Sequence, residues 1–288
     1  CLYNFHRGIF VGGSKLAGLG TPALALPLAA WTAAANACDE DVDLKAGGSE
    51  PRYRMGGLLS ITDRDNASVV KEILGTMAAD LIDSGGVFRP QVGVAQSAVL
   101  DLTDEDLVAD ETVEIIPKLS RAQLINSLYG SFTDPGQMFS SQPLPPRISP
   151  ADQDTDGGYA LDTSYALDYV QSGTQGQRVL EILRRKGRLQ MRLNGRFRSR
   201  MAVLEAGDWV TWTSRRYGWT GAIFEVMTSS LNRDLTTPIE LREISTSAFA
   251  WSEAEDELDP SDPAPVDAGG SSFTTVAGLD LDAVLIEP

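Results

Sequence analysis

Apolar residues recur at helical spacing in a few stretches of this chain and alternate at strand spacing in others. Val69, Val70, Ile73, Leu74, Met77 and Leu81 form one stripe of helical period, behind an Asp65 or Asn66 able to cap the first turn. The stripe predicts a helix that stops at Ser84-Gly85-Gly86. A shorter helix is expected from Ala29 through Ala37, ahead of Asp39-Glu40-Asp41. Ser172 or Thr174 opens another through Val179, Leu180, Ile182 and Leu183, ending near Gly187. Arg184-Arg185-Lys186 then falls on its last turn, where cations complement the helix dipole. Thr103 with Asp106 three residues on reads as a capping pair for a short helix, and Ser120 begins one through Leu124 and Leu128.

Period-two alternation marks Leu189 to Leu193, Trp209 to Trp212, Ile223 to Val226 and Ile239 to Glu243, with turns expected at Asn194-Gly195, Ala206-Gly207-Asp208 and Gly218. These strands predict a compact antiparallel β domain, a small barrel or sandwich. Their period places at least some of Trp209, Trp212 and Trp219 inside. Val87 to Pro90 with Val92-Gly93-Val94 reads as a small hairpin, Glu114 to Pro117 as a strand, and Glu50 to Gly57 as an extended segment closed by a glycine turn. From Tyr129 to Tyr159 the abundance of Pro, Gly, Ser and Asp predicts an extended connection lying on a partner. The acidic, Pro-rich stretch beyond Trp251 to Gly270 is expected to be a linker, and Phe273 to Ile286 a strand of a next module or an arm on a neighbour.

Strand and helix alternate too irregularly for a doubly wound sheet. The fold class expected is α+β, with antiparallel β domains, a few packed helices and extended arms. Its expected organisation is an N-terminal arm and helix over 1–41, an α+β domain with the extended connection over 42–160, a helix plus antiparallel β domain over 161–251, and the linker with the start of a next module over 252–288. No internal repeat is visible. The chain starts at Cys1 and ends at Pro288, and we read it as a segment of a longer polypeptide.

Charge changes this picture. The formal net charge is -16, which disfavours a general affinity for nucleic acid or anionic membrane. Its distribution is uneven: Arg178 to Arg216 is predominantly basic, whereas every charged residue from Glu243 onward is acidic. The uncharged run Leu16 to Ala37 approaches membrane-spanning length, but Pro22, Pro27 and glycines interrupt it. Ala35-Asn36-Ala37-Cys38 loosely resembles a signal-peptide cleavage site; the preferred reading is a loop leading into a buried helix, with no stable membrane insertion.

Candidate chemistry is sparse. Two cysteines, Cys1 and Cys38, are too few for a disulfide framework, and with the single His6 they build no zinc site of ordinary spacing. His6 has no nucleophile elbow near it. The pairs Gly12-Gly13, Gly47-Gly48, Gly56-Gly57 and Gly85-Gly86 lack the context of a phosphate loop and read as turns. Asp101, Asp104, Glu105, Asp106, Asp110 and Glu111 form an acidic stretch in which a glycosidase-type acid pair could reside, although solvated surface charge is the default. Asp152, Asp154, Asp156 and Gly157 imitate the start of a calcium loop without its closing Glu. Arg184 to Arg200 could contact phosphate, but with Phe197 alone inside it, a solvated face or a docking surface for an acidic neighbour is favoured. No catalytic, cofactor-binding or metal-ligating residue is assigned.

The ordered features resemble a known family. They run from Trp31-Thr32-Ala33-Ala34-Ala35-Asn36-Ala37-Cys38-Asp39-Glu40 through Arg52-Tyr53-Arg54-Met55-Gly56-Gly57 and Ser84-Gly85-Gly86-Val87-Phe88. They continue in Asn126-Ser127-Leu128-Tyr129-Gly130-Ser131-Phe132-Thr133-Asp134-Pro135, in Leu204-Glu205-Ala206-Gly207-Asp208-Trp209-Val210, and in Leu235 to Trp251. This order resembles the tail-protein family that forms the hub of long-tailed phages and of phage-derived gene transfer agents, and also host-specificity proteins at the tail tip of lambda-like phages. The resemblance implies a homotrimer with tail-tube-like domains, placed at the virion tail tip and assembled in the bacterial host cytoplasm. Its implied partners are the distal tail and tail-tube proteins, the tape-measure protein and tip or fibre proteins, with DNA only as transient cargo in a central channel. It implies no enzyme activity and no cofactor. A cell-wall hydrolase and a receptor-binding module are the competing expectations.

Overall fold

The computed structural model describes residues 1–58, 65–109 and 111–259. Ile61, Asp110, the later part of the expected linker and the expected strand Phe273 to Ile286 lie outside the described residues. The chain opens with α1 (Leu2–Arg7) and the hairpin of β1 (Ile9–Val11) and β2 (Ser14–Ala17), followed by α2 (Leu28–Asp39). The uncharged run is thus divided between a strand and a helix, and among the described residues no helix is long and apolar enough to cross a membrane. Next come the hairpin β3 (Asp41–Asp43) with β4 (Ser49–Pro51), then α3 (Asn66–Gly75), then the hairpin β5 (Asp80–Ser84) with β6 (Val87–Gln91). Leu2, Phe5, Leu26, Trp31, Val69, Val70, Ile73 and Leu74 bury one core beneath these helices.

α3 starts as the sequence indicates, with the Asp65 carboxylate accepting from Ser68 N at 2.8 Å. It ends earlier than the apolar stripe predicts. The Thr76 hydroxyl donates to the Ile73 carbonyl at 2.7 Å, and Ala78 takes a φ of 46°, which turns the chain. Leu81 therefore lies in β5. The hairpin also sits one strand earlier than expected: β5 and β6 are joined by Gly85 and Gly86 at φ 63° and 86°, the paired positive φ of a two-residue turn.

β7 (Leu100–Thr103) and β8 (Glu114–Ile116) come next and join a larger sheet. Between β7 and β8 lies the expected capping pair, with the Asp106 carboxylate accepting from Thr103 N at 2.8 Å. The helix expected from Ser120 through Leu128 is only a short 3-10 turn at Arg121–Gln123. Leu128 is fully buried in β9 (Ser127–Asp134).

The segment 129–159 is folded, which corrects the reading of an extended connection. β9 pairs with β10 (Ser140–Pro143) and β11 (Arg147–Ile148) along one side, and with β12 (Asp162–Leu167), running parallel, along the other. Pro143 is the last residue of β10, where no further ladder donor is required. α4 (Pro150–Thr155) is capped by Ser149. α5 (Gly173–Arg188) starts at its Ser172 cap and lies on β9, burying Val179, Leu180 and Ile182 with Leu128, Leu144, Leu167 and Val170. Gly130 provides the close approach, since a Cβ there would sit 2.7 Å from Leu180 Cδ1.

The remaining strands are β13 (Arg192–Arg198), β14 (Trp209–Ser214), β15 (Trp219–Ser229) and β16 (Thr236–Glu243). They form a six-stranded sheet in the order β7-β14-β15-β16-β13-β8, antiparallel except where β7 meets β14. Strand pairing thus crosses residue 160 in both sheets. Asn194-Gly195 lies inside β13 and is not a turn: Leu193, Gly195 and Phe197 alternate inward, so burial on one face overrides the local turn signal. The strand expected from Leu189 begins at Arg192, because the Glu243 carboxylate takes Gln190 N and Met191 N.

Alternation along β14 feeds two cores. Val210 and Trp212 pack with Leu193, Phe197, Phe224, Ile239 and Leu241, while Trp209 reaches the core under α5 beside Phe249. Replacing Leu180, which joins α5 to β9, with Ala is expected to cost about 2–5 kcal/mol. Denaturant titration should show this as a lower midpoint with an unchanged slope.

Candidate functional site

Several of the charged residues singled out by the sequence converge on α5. Its first half is buried throughout from Gln175 to Ile182, so its polar side chains must find partners inside. Gln175 accepts from Arg54 N at 2.9 Å and donates to the carbonyls of Arg54 and Thr76 at 2.8 and 2.9 Å. Arg178, only 1% exposed, donates to the Glu50 carboxylate at 2.9 Å and to the Arg52 carbonyl at 2.8 Å. Arg147 donates to Gln177 and to the Asp256 carbonyl. Both Arg147 and Arg178 stack over Trp251, at 5.4 and 5.7 Å from its ring centre.

One turn further on, Glu181 receives Arg184 and Arg185, each at 2.7 Å. Burial would raise the Glu181 carboxyl, but Arg184, Arg185 and Arg147 outweigh it and hold the group below the ordinary glutamate range. Arg184 also reaches Asp152 at 3.0 Å, Arg188 reaches Asp156 at 2.8 Å, and Arg185 reaches Asp256 at 2.7 Å. The hydrogen bond from Arg188 is the main influence holding Asp156 low. Ionised, paired carboxylates of this kind tie segments together; they are unsuited to donating a proton at neutral pH.

Two sequence features thereby explain each other. Asp152 and Asp156, read as the start of a calcium loop, face arginines on α5, and the acidic neighbour expected for the basic run is the chain itself. The stretch beyond Trp251, expected to be a linker, is docked as far as Asp259: Leu258 N and its carbonyl meet Gln177, and Glu257 and Asp259 meet Lys45.

Four residues of the acidic stretch near 101–111 are likewise engaged. Asp106 caps and pairs with Arg200 at 2.8 Å, Asp104 accepts from Arg215 N and Arg216 N, Asp101 from the Thr211 hydroxyl, and Glu111 from Arg196. His6 is buried between Trp31 and Phe88, and burial lowers its pKa. Trp209 and Trp212 are buried, and Trp219 stacks on Tyr217 at 4.7 Å between ring centres. Gln175, Arg178, Glu50, Arg147 and Trp251 escaped the sequence reading. For Gln175 and Arg178 a signal existed: polar residues three apart on the apolar side of a predicted helix mark a buried polar network.

No protein-family model matches the chain, and no curated protein does. Among solved structures, a chain of the virion of the native gene transfer agent particle matches with a TM-score of 0.55 and 15% identity, over 74% of this chain and 45% of that one. The fold is shared with that virion chain. A 43 kDa tail protein of prophage MuSo2 from Shewanella oneidensis gives a TM-score of 0.40 at 8% identity, over 67% of this chain and 55% of that one. Prophage tail protein gp18 from Listeria monocytogenes gives 0.36 at 13%, over 67% and 59%. This chain spans about half the length of each of these neighbours.

Because the Glu181 and Asp156 carboxyls are held low in the folded chain, their contribution to stability is full above the ordinary values of 4.5 and 3.8 and is lost as pH falls through the lower folded values. Thermal melts should therefore show the gap between wild type and Glu181→Gln closing as the pH falls below 4.5. Burial, with Asp39 alongside, pushes the Cys38 thiol up to about 11. In mass-spectrometric labelling at pH 8, Cys1 should react at once and Cys38 far more slowly.

Proposed function

We propose that this chain is a structural component of a phage-like tail, and within it part of the hub at the tail tip. In this reading three copies form a ring that joins the sixfold tail tube to the distal tip and surrounds the channel through which DNA leaves. The observation that carries it is the shared fold with a gene-transfer-agent virion chain over 74% of this chain. The ordered motifs from Trp31 to Trp251 support the same family independently of the fold.

The state of the charged residues favours a structural role over a hydrolytic one. In the acidic stretch flagged for a candidate acid pair, Asp101, Asp104, Asp106 and Glu111 are held by arginines, backbone amides or hydroxyls of the same chain. A receptor-binding module would present its aromatic residues outward, whereas Trp209 and Trp212 are core residues. Tail-tube, tape-measure and tip or fibre proteins are the partners this role requires, with DNA as passing cargo, and the place is the virion tail tip after assembly in the bacterial cytoplasm.

Light scattering of the purified chain across a concentration series, with particle images of the same sample, tests the reading. Three copies around an opening are expected. A monomer at every concentration, or a closed two-fold dimer, overturns it.

A further inference from the structure

Sheet edges are where a folded chain can still pair with another, and soluble proteins guard them with charges, prolines or very short strands. Most edges here are guarded in that way. β5 carries Asp80 and Asp83, β6 has Arg89 and Pro90, β3 has Asp41 and Asp43, β4 has Glu50 and Pro51, and β7 has Asp101. β8 is short, and β10 ends on Pro143.

Two edges differ. Among the described residues β12 pairs only with β9, and along Thr163-Ser164-Tyr165-Ala166-Leu167 its outer side carries neither charge nor proline. The β1–β2 hairpin forms a sheet of its own, with Ile9, Phe10, Val11 and Leu16 all exposed. Successive exposed Ile, Phe and Val place apolar groups on both faces of this ribbon, and a lone hairpin is marginal in water. Beside β12 lies a groove of about 790 Å³ whose apolar lining includes Val70, Leu74, Leu81, Tyr165, Leu167 and Leu183.

Charge supplies the complementarity. Residues 1–38 hold Arg7 and Lys15 and no acid, in a chain of net charge -16. β12 is bracketed by Asp162 and Asp168, neither of which has an ion pair among the described residues. We infer that the β1–β2 hairpin of one copy adds to the open edge of β12 on a second copy of this chain, its apolar side chains entering the groove and Lys15 meeting one of the bracketing aspartates. Main-chain hydrogen bonds give such a contact its strength and the groove its selectivity. This inference rests on the hub reading, because a ring needs each copy to give one surface and receive another.

Two double variants at exposed positions test it: Phe10→Lys with Val11→Lys on the hairpin, and Ser164→Lys with Tyr165→Lys on the edge. Thermal melts and circular dichroism verify that each folds as wild type does. Sedimentation is expected to show at least tenfold weaker self-association for each variant alone, and a one-to-one heterodimer when the two are mixed, because the intact hairpin of one meets the intact edge of the other. If wild type assembles and the variants assemble equally well, or their mixture stays monomeric, the inference falls while the hub reading stands. A wild-type chain that stays monomeric removes both.

Discussion

Arg178 is almost wholly buried inside the fold, and a guanidinium there carries a desolvation cost of several kcal/mol, on the order of that for any buried ion, unless it is paired and hydrogen-bonded. Glu50, the Arg52 carbonyl and the face of Trp251 supply that pairing, and they come from segments more than seventy positions away on either side. The position of α5 therefore depends on those segments. The same holds one turn along, where Glu181 gathers Arg184 and Arg185, and these in turn fix Asp152 and Asp256. The helix is less an element packed on a sheet than the place where four parts of the chain are fastened.

Burying such a network is a poor way to maximise stability, since an apolar core of equal volume can do as well or better. What it does provide is a requirement for one arrangement: Arg178, Arg184, Arg185 and Arg188 each have particular acids, and slipping α5 by one turn on β9 would separate them. Leu180 over Gly130 sets the depth of the contact, and the ion pairs set its register. A chain that must present fixed surfaces to neighbours gains more from a single arrangement than from additional stability.

Much of the local structure was legible because it is written in caps and periods. Asp65, Ser172 and the Thr103–Asp106 pair sit where short polar side chains satisfy helix amides, and the alternation around Trp209 to Trp212 reads directly as a strand. The failures share one cause, which is tertiary context overriding local signals. Prolines near 143–146 suggested a loop, yet Pro143 closes the strand β10. Asn194-Gly195 suggested a turn, yet Leu193 and Phe197 on either side are both needed in the core. The charge cluster was legible only in halves, since the aspartates of 152–156 and the arginines of 184–188 were each conspicuous while nothing in a one-dimensional pattern says that they face one another.

That pairing also settles what the basic middle of the chain leaves for the outside. With Arg178, Arg184, Arg185 and Arg188 committed to acids of the same chain, part of the positive charge is spent internally, and the chain as a whole carries 40 acidic against 24 basic residues. A surface of that sign repels phosphate, and free arginines are what would grip it, because each phosphate contact adds to affinity and slows sliding. Internal neutralisation of these arginines and a weaker grip on phosphate are therefore two consequences of the same pairing.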